Sequence, residues 1–232
     1  MSPVSFWAIL PAAGNGSRMG TSVKKQFLCL PDGREILATA LQIFEDCPRI
    51  DGIVIVSGQD DLPRCRSLCE AYHFSKVRHF VSGGATRQES VRNGLHALPG
   101  DCTHAVIHDA ARPFLRMKDL NAVLDDALQY GASLMAVPSK DTIKRADPSG
   151  FVLETPDRST LWNIQTPQVF EKELLFQAHE KAAAVSDTFC TDDGQVVERY
   201  TGHRVHLCRG SYSNRKITTP DDLEIPNKMR SQ

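Results

Sequence analysis

Short apolar and β-branched runs alternate along the chain with amphipathic segments of helical length. The runs lie at residues 6–10, 53–56, 77–81, 105–107 and 134–137, and the predicted helices lie near residues 35–46, 60–74, 90–98 and 120–130. Continuous apolar runs of this length are typical of strands that are buried on both faces of a sheet, and helical connections join parallel strands. The alternation therefore predicts an α/β fold with a doubly wound, mostly parallel, Rossmann-like sheet.

The alternation of apolar runs with predicted helices stops after residue 138. Residues 141–145 and 151–154 alternate in polarity around the turn Asp147-Pro148-Ser149-Gly150, a pattern that is typical of a β-hairpin. Because no predicted helix covers the hairpin, we expect an arm over about residues 139–164 that projects from a single domain spanning residues 1–232. An exposed hairpin is stable only when something packs on it, so we expect a homodimer.

The elements that follow the arm have weaker signals. Residues 165–168 are predicted to lead directly into a helix near residues 172–184, and residues 187–194 are predicted to form a polar loop. A helix near residues 196–200, a last strand at residues 205–207 and a terminal helix that starts near residue 219 and ends before Pro226 complete the prediction.

Composition excludes several classes of protein. The 27 Lys and Arg residues nearly balance the 28 Asp and Glu residues, which argues against a nucleic-acid partner or a polybasic membrane binder. No apolar run is long enough to cross a bilayer, and the first residues lack the pattern of a secretory signal, so we expect a cytoplasmic protein. The seven cysteines are odd in number and scattered, which does not indicate a disulfide framework.

A glycine-rich loop follows the first predicted strand, with the sequence L-P-A-A-G-N-G-S-R-M-G at residues 10–20. Gly14 and Gly16 allow a close backbone approach to a ligand, and successive backbone N–H groups in such a turn bind anions. Arg18 and Lys25 add positive charge, so the loop predicts a polyphosphate site. It is not a P-loop, because no G-x-x-x-x-G-K-[S/T] string follows the strand. It is not a dinucleotide loop either, because Met19 stands where the third glycine would be. The alternative is a tight strand-to-helix turn without a ligand.

Charged and polar side chains also follow the other predicted strands. In open α/β sheets, ligands bind beyond the carboxyl ends of the strands. One acid among several cations at such an edge suits a nucleoside triphosphate with a divalent metal, and Asp109 is the candidate for Mg²⁺ because this ion takes one or two carboxylates together with phosphate oxygens. The alternatives are a structural acid at Asp109 and a loop-holding ion pair at Arg112. The candidates at this edge are Arg18, Lys25, Arg87, Ser90, Asp109, Arg112 and Lys216.

A set of motifs resembles the 2-C-methyl-D-erythritol 4-phosphate cytidylyltransferases, enzymes of the methylerythritol phosphate route to isoprenoids. The resemblance covers nearly the whole chain in the order and spacing of that family. The first motif also occurs in other sugar nucleotidyltransferases, so only the motifs taken together are specific for this family. Besides the glycine loop and K-Q-F, the motifs are G-G-A-T-R-Q-E-S-V, H-D-A-A-R-P-F, V-P-S-K-D-T-I-K-R, T-P-Q-V-F, T-D-D and K-I-T-T-P-D-D.

The resemblance implies transfer of CMP from CTP to 2-C-methyl-D-erythritol 4-phosphate, with Mg²⁺ as cofactor and pyrophosphate as the second product. It also implies that the arm clasps a second subunit. The catalytic charges would be Arg18, Lys25 and Lys216, and the metal would bind at Asp109. The nucleotide would bind at Ala12, Ala13, Gly14, Asn15, Gly16, Gly83, Gly84, Arg87, Ser90, Asp109 and Ala110. The sugar phosphate would bind at Arg112, Thr142, Arg158, Thr166 and Thr191.

Three other functions remain open at this level. A ribitol 5-phosphate cytidylyltransferase would share most of the motifs, although its loop more often has a second glycine at the position of Ala13. A nucleotide-binding regulatory domain without catalysis would be expected to lack Lys25, Asp109 or Lys216, and all three are present. A dinucleotide-dependent oxidoreductase would need the third loop glycine.

Overall fold

A computed structural model describes residues 3–14 and 23–224. The strands are β1 (Phe6–Pro11), β2 (Ile50–Ser57), β3 (Val77–Ser82), β4 (His104–Ile107), β5 (Ala132–Pro138), β6 (Arg145–Ala146), β7 (Val152–Glu154), β8 (Trp162–Glu171) and β9 (His206–Arg209). The α-helices are α1 (Ile36–Asp46), α2 (Leu62–Ala71), α3 (Arg87–His96), α4 (Met117–Tyr130), α5 (Lys172–Ala184) and α6 (Asp193–Thr201). All the strands and helices that the sequence predicts within the described residues up to residue 138 are confirmed.

One seven-stranded sheet has the order β3-β2-β1-β4-β8-β5-β9. Strands β1, β2, β3 and β4 are mutually parallel where they pair, and β9 is parallel to β5, whereas β8 is antiparallel to both β4 and β5. The prediction of a mostly parallel sheet is therefore confirmed, with one antiparallel strand inside it.

Successive residues of the central strands bury their side chains on opposite faces of the sheet. In β1, Leu10 packs in a core with helices α1, α2 and α4, whereas Ile9 packs in a second core with α3, α5 and α6. Residues 53–56 of β2 alternate between the same two cores. Two-sided burial explains why these strands read as continuous apolar runs, and it confirms the doubly wound architecture.

Strand β8 corrects the prediction for residues 165–168, which the sequence assigned to the approach of a helix. Pro167 argues against a strand because it cannot donate a ladder hydrogen bond, and its bond to Thr166 is cis. The pairing with β5 jumps from Ala136–Ile164 to Leu134–Gln168, so residues 165–167 bulge out of the ladder. A bulge accommodates proline without a break in the strand.

The arm is present but shorter than predicted. Trp162 to Ile164, which were expected in the arm, pair with β5 in the main sheet. Strands β6 and β7 form the hairpin, and Asp147 Oδ1 closes its turn by accepting from the backbone N–H groups of Ser149 and Phe151 at 2.9 and 3.0 Å. Gly150 has a φ of +88°, which glycine adopts without strain.

The last elements differ from the prediction in extent and, at the end of the described residues, in type. Helix α6 begins at Asp193, inside the predicted loop, because Asp192 caps it by accepting from Gln195 N–H at 2.8 Å. The predicted terminal helix is a 3₁₀ turn at Pro220–Glu224, and Pro226 lies outside the described residues. All seven cysteines are free thiols, as predicted. Over residues 3–14 and 23–224, no helix is both long and apolar enough to cross a membrane.

Candidate active site

A cavity of about 610 Å³ opens beyond the carboxyl ends of β1, β3 and β4. This is the edge at which open α/β sheets bind ligands, and the volume is in the range of small-molecule sites. Its lining includes most of the predicted nucleotide residues. The lining residues are Pro11, Ala12, Ala13, Gly14, Lys25, Gln26, Gly58, Gly83, Gly84, Ala85, Thr86, Arg87, Ser90, Asp109, Ala110, Ala111, Lys216 and Thr218.

The turn after β3 packs directly on the loop after β1, and glycine makes this approach possible. A Cβ atom at Gly83 would lie 2.6 Å from the Cβ of Ala13 and 3.0 Å from the Oγ of Ser90. At Gly14, by contrast, a Cβ atom would meet no atom of the described residues within 4 Å. The two loops therefore form one continuous backbone wall of the cavity.

Helix α3 begins at this wall, and its own side chains fix its first turn. Thr86 caps the helix by accepting from Glu89 N–H at 3.0 Å, and Glu89 accepts from Ala85 N–H at 2.7 Å. Ser90 Oγ accepts from Gly84 N–H at 3.1 Å and donates to the Thr86 carbonyl at 2.9 Å. The hydroxyl predicted as a nucleotide ligand thus holds the glycine turn, and the helix N-terminus favours an anion in the cavity.

Asp109 carries the only acidic side chain of this cavity lining among the described residues. Lys216 Nζ lies 2.8 Å from its carboxylate, Arg87 Nε 3.2 Å and Arg112 Nε 3.7 Å. Burial alone would raise the pKa of Asp109, but the charges of Arg87, Lys216 and Arg112 prevail and hold it well below its usual range. The side chain is therefore a carboxylate at any physiological pH.

A chain of hydrogen bonds fixes Asp109 from behind. Its backbone N–H donates to Thr166 Oγ1 at 3.0 Å, and Thr166 Oγ1 in turn contacts His108 Nδ1 at 3.1 Å. His108 Nε2 lies 3.0 Å from the carbonyl of Arg112, which assigns the ring proton to Nε2. Burial lowers the pKa of His108 to about 4, so the ring is neutral. His108 is a site residue that sequence reasoning did not single out, although it directly precedes Asp109.

A second cavity of about 270 Å³ adjoins the first. Arg87, Asp109 and Lys216 line both cavities, and we call these three residues the shared wall. The second cavity also gathers Arg112, Thr166 and Thr191, which were predicted to face the sugar phosphate. Its remaining lining residues, Ile164, Gln165, Gln168 and Asp192, were not predicted, although all but Ile164 lie in or beside the quoted T-P-Q-V-F and T-D-D motifs.

Five predicted site residues are not among the described residues that line the two cavities. Asn15, Gly16 and Arg18 fall outside the described residues. Thr142 and Arg158 are exposed on the arm and line neither of the two cavities formed by the described residues. Arg158 Nη1 donates instead to the carbonyl of Lys140 at 2.9 Å. The roles of these five residues stay predictions.

The predicted alternatives at Asp109 and Arg112 are also visible in the geometry. Asp109 is a structural acid within an ion cluster, and Arg112 Nη1 donates to the Asn214 carbonyl at 2.9 Å, which ties two loops together. Among the described residues no group of three or more His, Cys, Asp or Glu side chains could hold a metal. The donor set of the shared wall is one ionised carboxylate, which fits an Mg²⁺ ion that takes its other ligands from phosphate and water.

Comparisons with known proteins agree with one another. The model of the 2-C-methyl-D-erythritol 4-phosphate cytidylyltransferase (IspD) family matches residues 6–229. Curated proteins of that name from Desulforamulus reducens and Clostridium novyi are both 46% identical to the chain, over 93% and 94% of its length and 92% and 93% of theirs. A crystal structure of 4-diphosphocytidyl-2C-methyl-D-erythritol synthase from Anaerococcus prevotii matches with a TM-score of 0.84 and 34% identity, over 95% of this chain and 93% of that one. The Francisella tularensis 2-C-methyl-D-erythritol 4-phosphate cytidylyltransferase matches with a TM-score of 0.81 and 28% identity, over 97% and 99%.

Proposed function

Because the chain belongs to the 2-C-methyl-D-erythritol 4-phosphate cytidylyltransferase family, we propose that it transfers CMP from CTP to 2-C-methyl-D-erythritol 4-phosphate. The products are 4-diphosphocytidyl-2-C-methyl-D-erythritol and pyrophosphate. The observation that carries the proposal is the shared wall, because two adjacent cavities of unequal size meet at the same three charged side chains. A reaction between two anions needs such a meeting point.

The larger cavity suits the nucleotide and the smaller one the sugar phosphate. We assign nucleotide contacts to the loop after β1 and to Gly83, Gly84, Arg87, Ser90, Asp109 and Ala110. Arg112, Thr166 and Thr191 in the second cavity are assigned to the sugar phosphate, together with Thr142 and Arg158 of the arm. The unpredicted Gln165 and Gln168 would then add neutral donors beside the acceptor.

The chemistry is an in-line displacement at the α-phosphorus of CTP. A phosphate oxygen of the acceptor forms the new P–O bond, and the bond from the α-phosphorus to the bridging oxygen breaks, so that pyrophosphate leaves with the electron pair. The attacking oxygen is already anionic, so no side chain has to accept a proton. Catalysis is therefore positioning and stabilisation of charge. Lys25 and Lys216, with Arg18, are the fixed positive groups to which we assign this task.

We further propose Mg²⁺ as the cofactor, held on the protein side by Asp109. When bound, the ion would neutralise phosphate charge and orient the triphosphate. Lys216 Nζ contacts Oδ2 of this carboxylate at 2.8 Å, so the lysine would add positive charge next to the group that would hold the metal. Arg87 contacts the other oxygen, Oδ1, and Arg112 lies 3.7 Å from Oδ2.

We also propose that residues 1–232 act as one nucleotidyltransferase domain within a homodimer. The support for the dimer is the arm, where Phe151 is 73% exposed and its neighbours Val152 and Leu153 are exposed as well. Contiguous exposed apolar residues mark interaction surfaces. A second copy that packs on the arm would cover them. We place the enzyme in the cytoplasm, which agrees with its seven free thiols.

The deciding experiment measures pyrophosphate release with CTP, Mg²⁺ and each of two acceptors. We expect release with 2-C-methyl-D-erythritol 4-phosphate and only background release with ribitol 5-phosphate. Reactions without an acceptor, and with UTP or ATP in place of CTP, are the controls. Turnover with ribitol 5-phosphate alone, or with neither acceptor, would overturn the proposal.

A further inference from the structure

Arg87 is held by two carboxylates, and only one of them belongs to the shared wall. Its Nε lies 3.2 Å from Asp109 Oδ1, and its Nη1 lies 2.8 Å from Asp193 Oδ2. The Asp193 side chain is 1% exposed and lines neither cavity formed by the described residues. The guanidinium therefore lies between Asp109, which lines the two cavities, and Asp193, which is buried in the protein interior.

Asp193 is in turn fixed by groups from two other elements. Its Oδ1 lies 3.1 Å from Nε2 of His179, a residue of α5 whose side chain is also 1% exposed. Nδ1 of His179 has no hydrogen-bond partner among the described residues, so the ring proton belongs on Nε2, where it donates to Asp193. The backbone N–H of Asp193 donates to Gln168 Oε1 at 3.1 Å, which ties the start of α6 to β8.

A buried carboxylate is costly unless it is paired, so its presence requires a physical reason. Burial acts to raise the pKa of Asp193, but Arg87 and His179 overcome this and lower it, so the group stays charged. Arg87 donates a hydrogen bond to Asp109, whereas its 2.8 Å contact with Asp193 Oδ2 is an ion pair without hydrogen-bond alignment, so charge attraction restrains the guanidinium on that side. Without Asp193, Arg87 would have one carboxylate partner left and could turn fully toward Asp109.

We propose that Asp193, oriented by His179, is a positioning residue that fixes Arg87 in the wall between the two substrate cavities. The inference rests on the proposed cytidylyltransferase activity, since Arg87, like Asp109 and Lys216, lines both of the cavities in which the reactants would bind. The series of contacts His179–Asp193–Arg87–Asp109 links α5, α6, α3 and the end of β4. It therefore fixes the position of three helices on one face of the sheet relative to the edge where the two cavities lie.

The first test is Asp193→Asn, which keeps the shape of the side chain and removes its charge. We expect kcat per CTP-binding site to fall about 10- to 100-fold, the usual effect of losing a group that orients a site residue, while the KM values for both substrates change little. The number of CTP-binding sites is measured by calorimetry, so that loss of folded protein is not counted as loss of turnover.

Asp119→Asn is the matched control. Asp119 is also a buried acid in the first turn of a helix and pairs with an arginine, with 2.7 Å to Arg116, but it lies on α4 away from both cavities. We expect a comparable loss of thermal stability in both variants and normal kcat only in Asp119→Asn. Equal kcat per site in wild type and Asp193→Asn would overturn the inference.

A second pair of variants addresses the possibility that Asp193→Asn does not fold. His179→Gln retains an N–H donor for Asp193, whereas His179→Leu does not. We expect His179→Gln to keep most of the wild-type kcat and His179→Leu to lose at least about tenfold. Equal kcat in the two would contradict the inference. An inactive wild type would instead refute the proposed function.

Discussion

At Asp109 one carboxylate gathers three cationic side chains that lie far apart in the sequence. Arg87 comes from the start of α3, Arg112 from the loop after β4, and Lys216 from the segment before the last 3₁₀ turn. Each of these residues was predicted for the site, because each follows a predicted strand or lies in a family motif. Their common partner could not be predicted, since ion pairing depends on side-chain geometry at distances of 3–4 Å.

We expect Lys25→Ala and Lys216→Ala to lower turnover much more than they weaken CTP binding. A fixed charge that stabilises the transition state contributes about 3 kcal/mol, or roughly a hundredfold in rate, whereas the ground-state triphosphate has several other partners. Steady-state kcat and calorimetric binding of CTP provide the two measurements.

Lys118→Ala is the control for both lysine variants, because Lys118 is exposed on α4 and lines neither cavity of the described residues. It should behave like wild type. Near-normal kcat in both Lys25→Ala and Lys216→Ala would contradict the electrostatic mechanism.

His108 makes the stability of the fold depend on pH. Its pKa is about 4 in the folded protein and near 6.5 in the unfolded chain, so between these values only the unfolded chain binds the proton. Stability is therefore fully present above about pH 6.5 and falls as the pH drops toward 4, by up to about 3 kcal/mol. Urea unfolding of the wild type at pH 7, 6, 5 and 4.5 measures this loss.

His108→Gln isolates the contribution of the histidine ring. Glutamine can still donate to the Arg112 carbonyl and accept from Thr166, but it does not titrate. We expect the variant to lose less stability than the wild type between pH 6.5 and 4.5. Parallel pH profiles for the two proteins would show that the buried ring is not responsible.

Among the elements, the β3–α3 turn and the loop after β1 pack so closely that a larger residue at Gly83 does not fit. The 2.6 Å approach that a Cβ of Gly83 would make to Ala13 is shorter than any real contact, so Gly83→Ala must push the two loops apart. A displacement near 1 Å in a site that aligns reactants can cost about a hundredfold in rate. We expect kcat/KM for CTP to fall by about tenfold to a hundredfold.

Gly100→Ala is the matched control for this prediction. Within residues 3–14 and 23–224, a Cβ atom at Gly100 would meet nothing within 4 Å, and the residue lines neither cavity. Normal kinetics are expected there. Wild-type kinetics in Gly83→Ala would mean that the two loops can separate without consequence for the site.

Strand β8 is an element that could not be predicted from the sequence. The parallel strands could be predicted because two-sided burial leaves continuous apolar runs in the sequence. Strand β8 carries Gln165, Thr166, Pro167 and Gln168 in its middle, and these residues interrupt any such run. The bulge takes residues 165–167 out of the ladder, where Thr166 contacts Asp109, whereas Gln168 stays paired and accepts from the N–H groups of Asp193 and Gly194. Both arrangements are tertiary effects. Bulges beside functional sites commonly redirect side chains in this way.

The same limit applies to the buried clamp on Arg87. Asp193 was predicted to lie in a polar loop, and His179 was predicted only as part of a helix. Their pairing joins positions 14 residues apart on neighbouring helices and places both within the core. No periodicity in the sequence indicates that a charged residue will be buried, because its burial depends on the partners that the fold supplies.

At the scale of the whole molecule, the arm exposes apolar side chains, and within the described residues of one chain they stay uncovered. We expect the wild type to sediment as a dimer and the double variant Phe151→Ser, Leu153→Ser to sediment as a monomer at micromolar concentration. Burying one such apolar side chain contributes about 1.5–3 kcal/mol, and each serine substitution removes this contribution in each copy. Sedimentation equilibrium over a range of concentrations measures the association.

Val185→Ser is the control for the arm variant, because Val185 is 66% exposed but lies after α5, away from the arm. It should remain dimeric. A wild type that is monomeric at every concentration would contradict the proposed role of the arm. A dimer that survives the double variant would move the interface to another surface.

The shared wall also has a consequence for inhibitor design. Arg87 and Lys216 outnumber Asp109, the one acid of the shared wall, so the partition presents more cationic than anionic groups to the two cavities. A neutral inhibitor that spans both cavities would displace water from these charged side chains without offering an opposite charge in its place. Potent compounds should therefore either carry an acidic group at that junction or remain on one side of it.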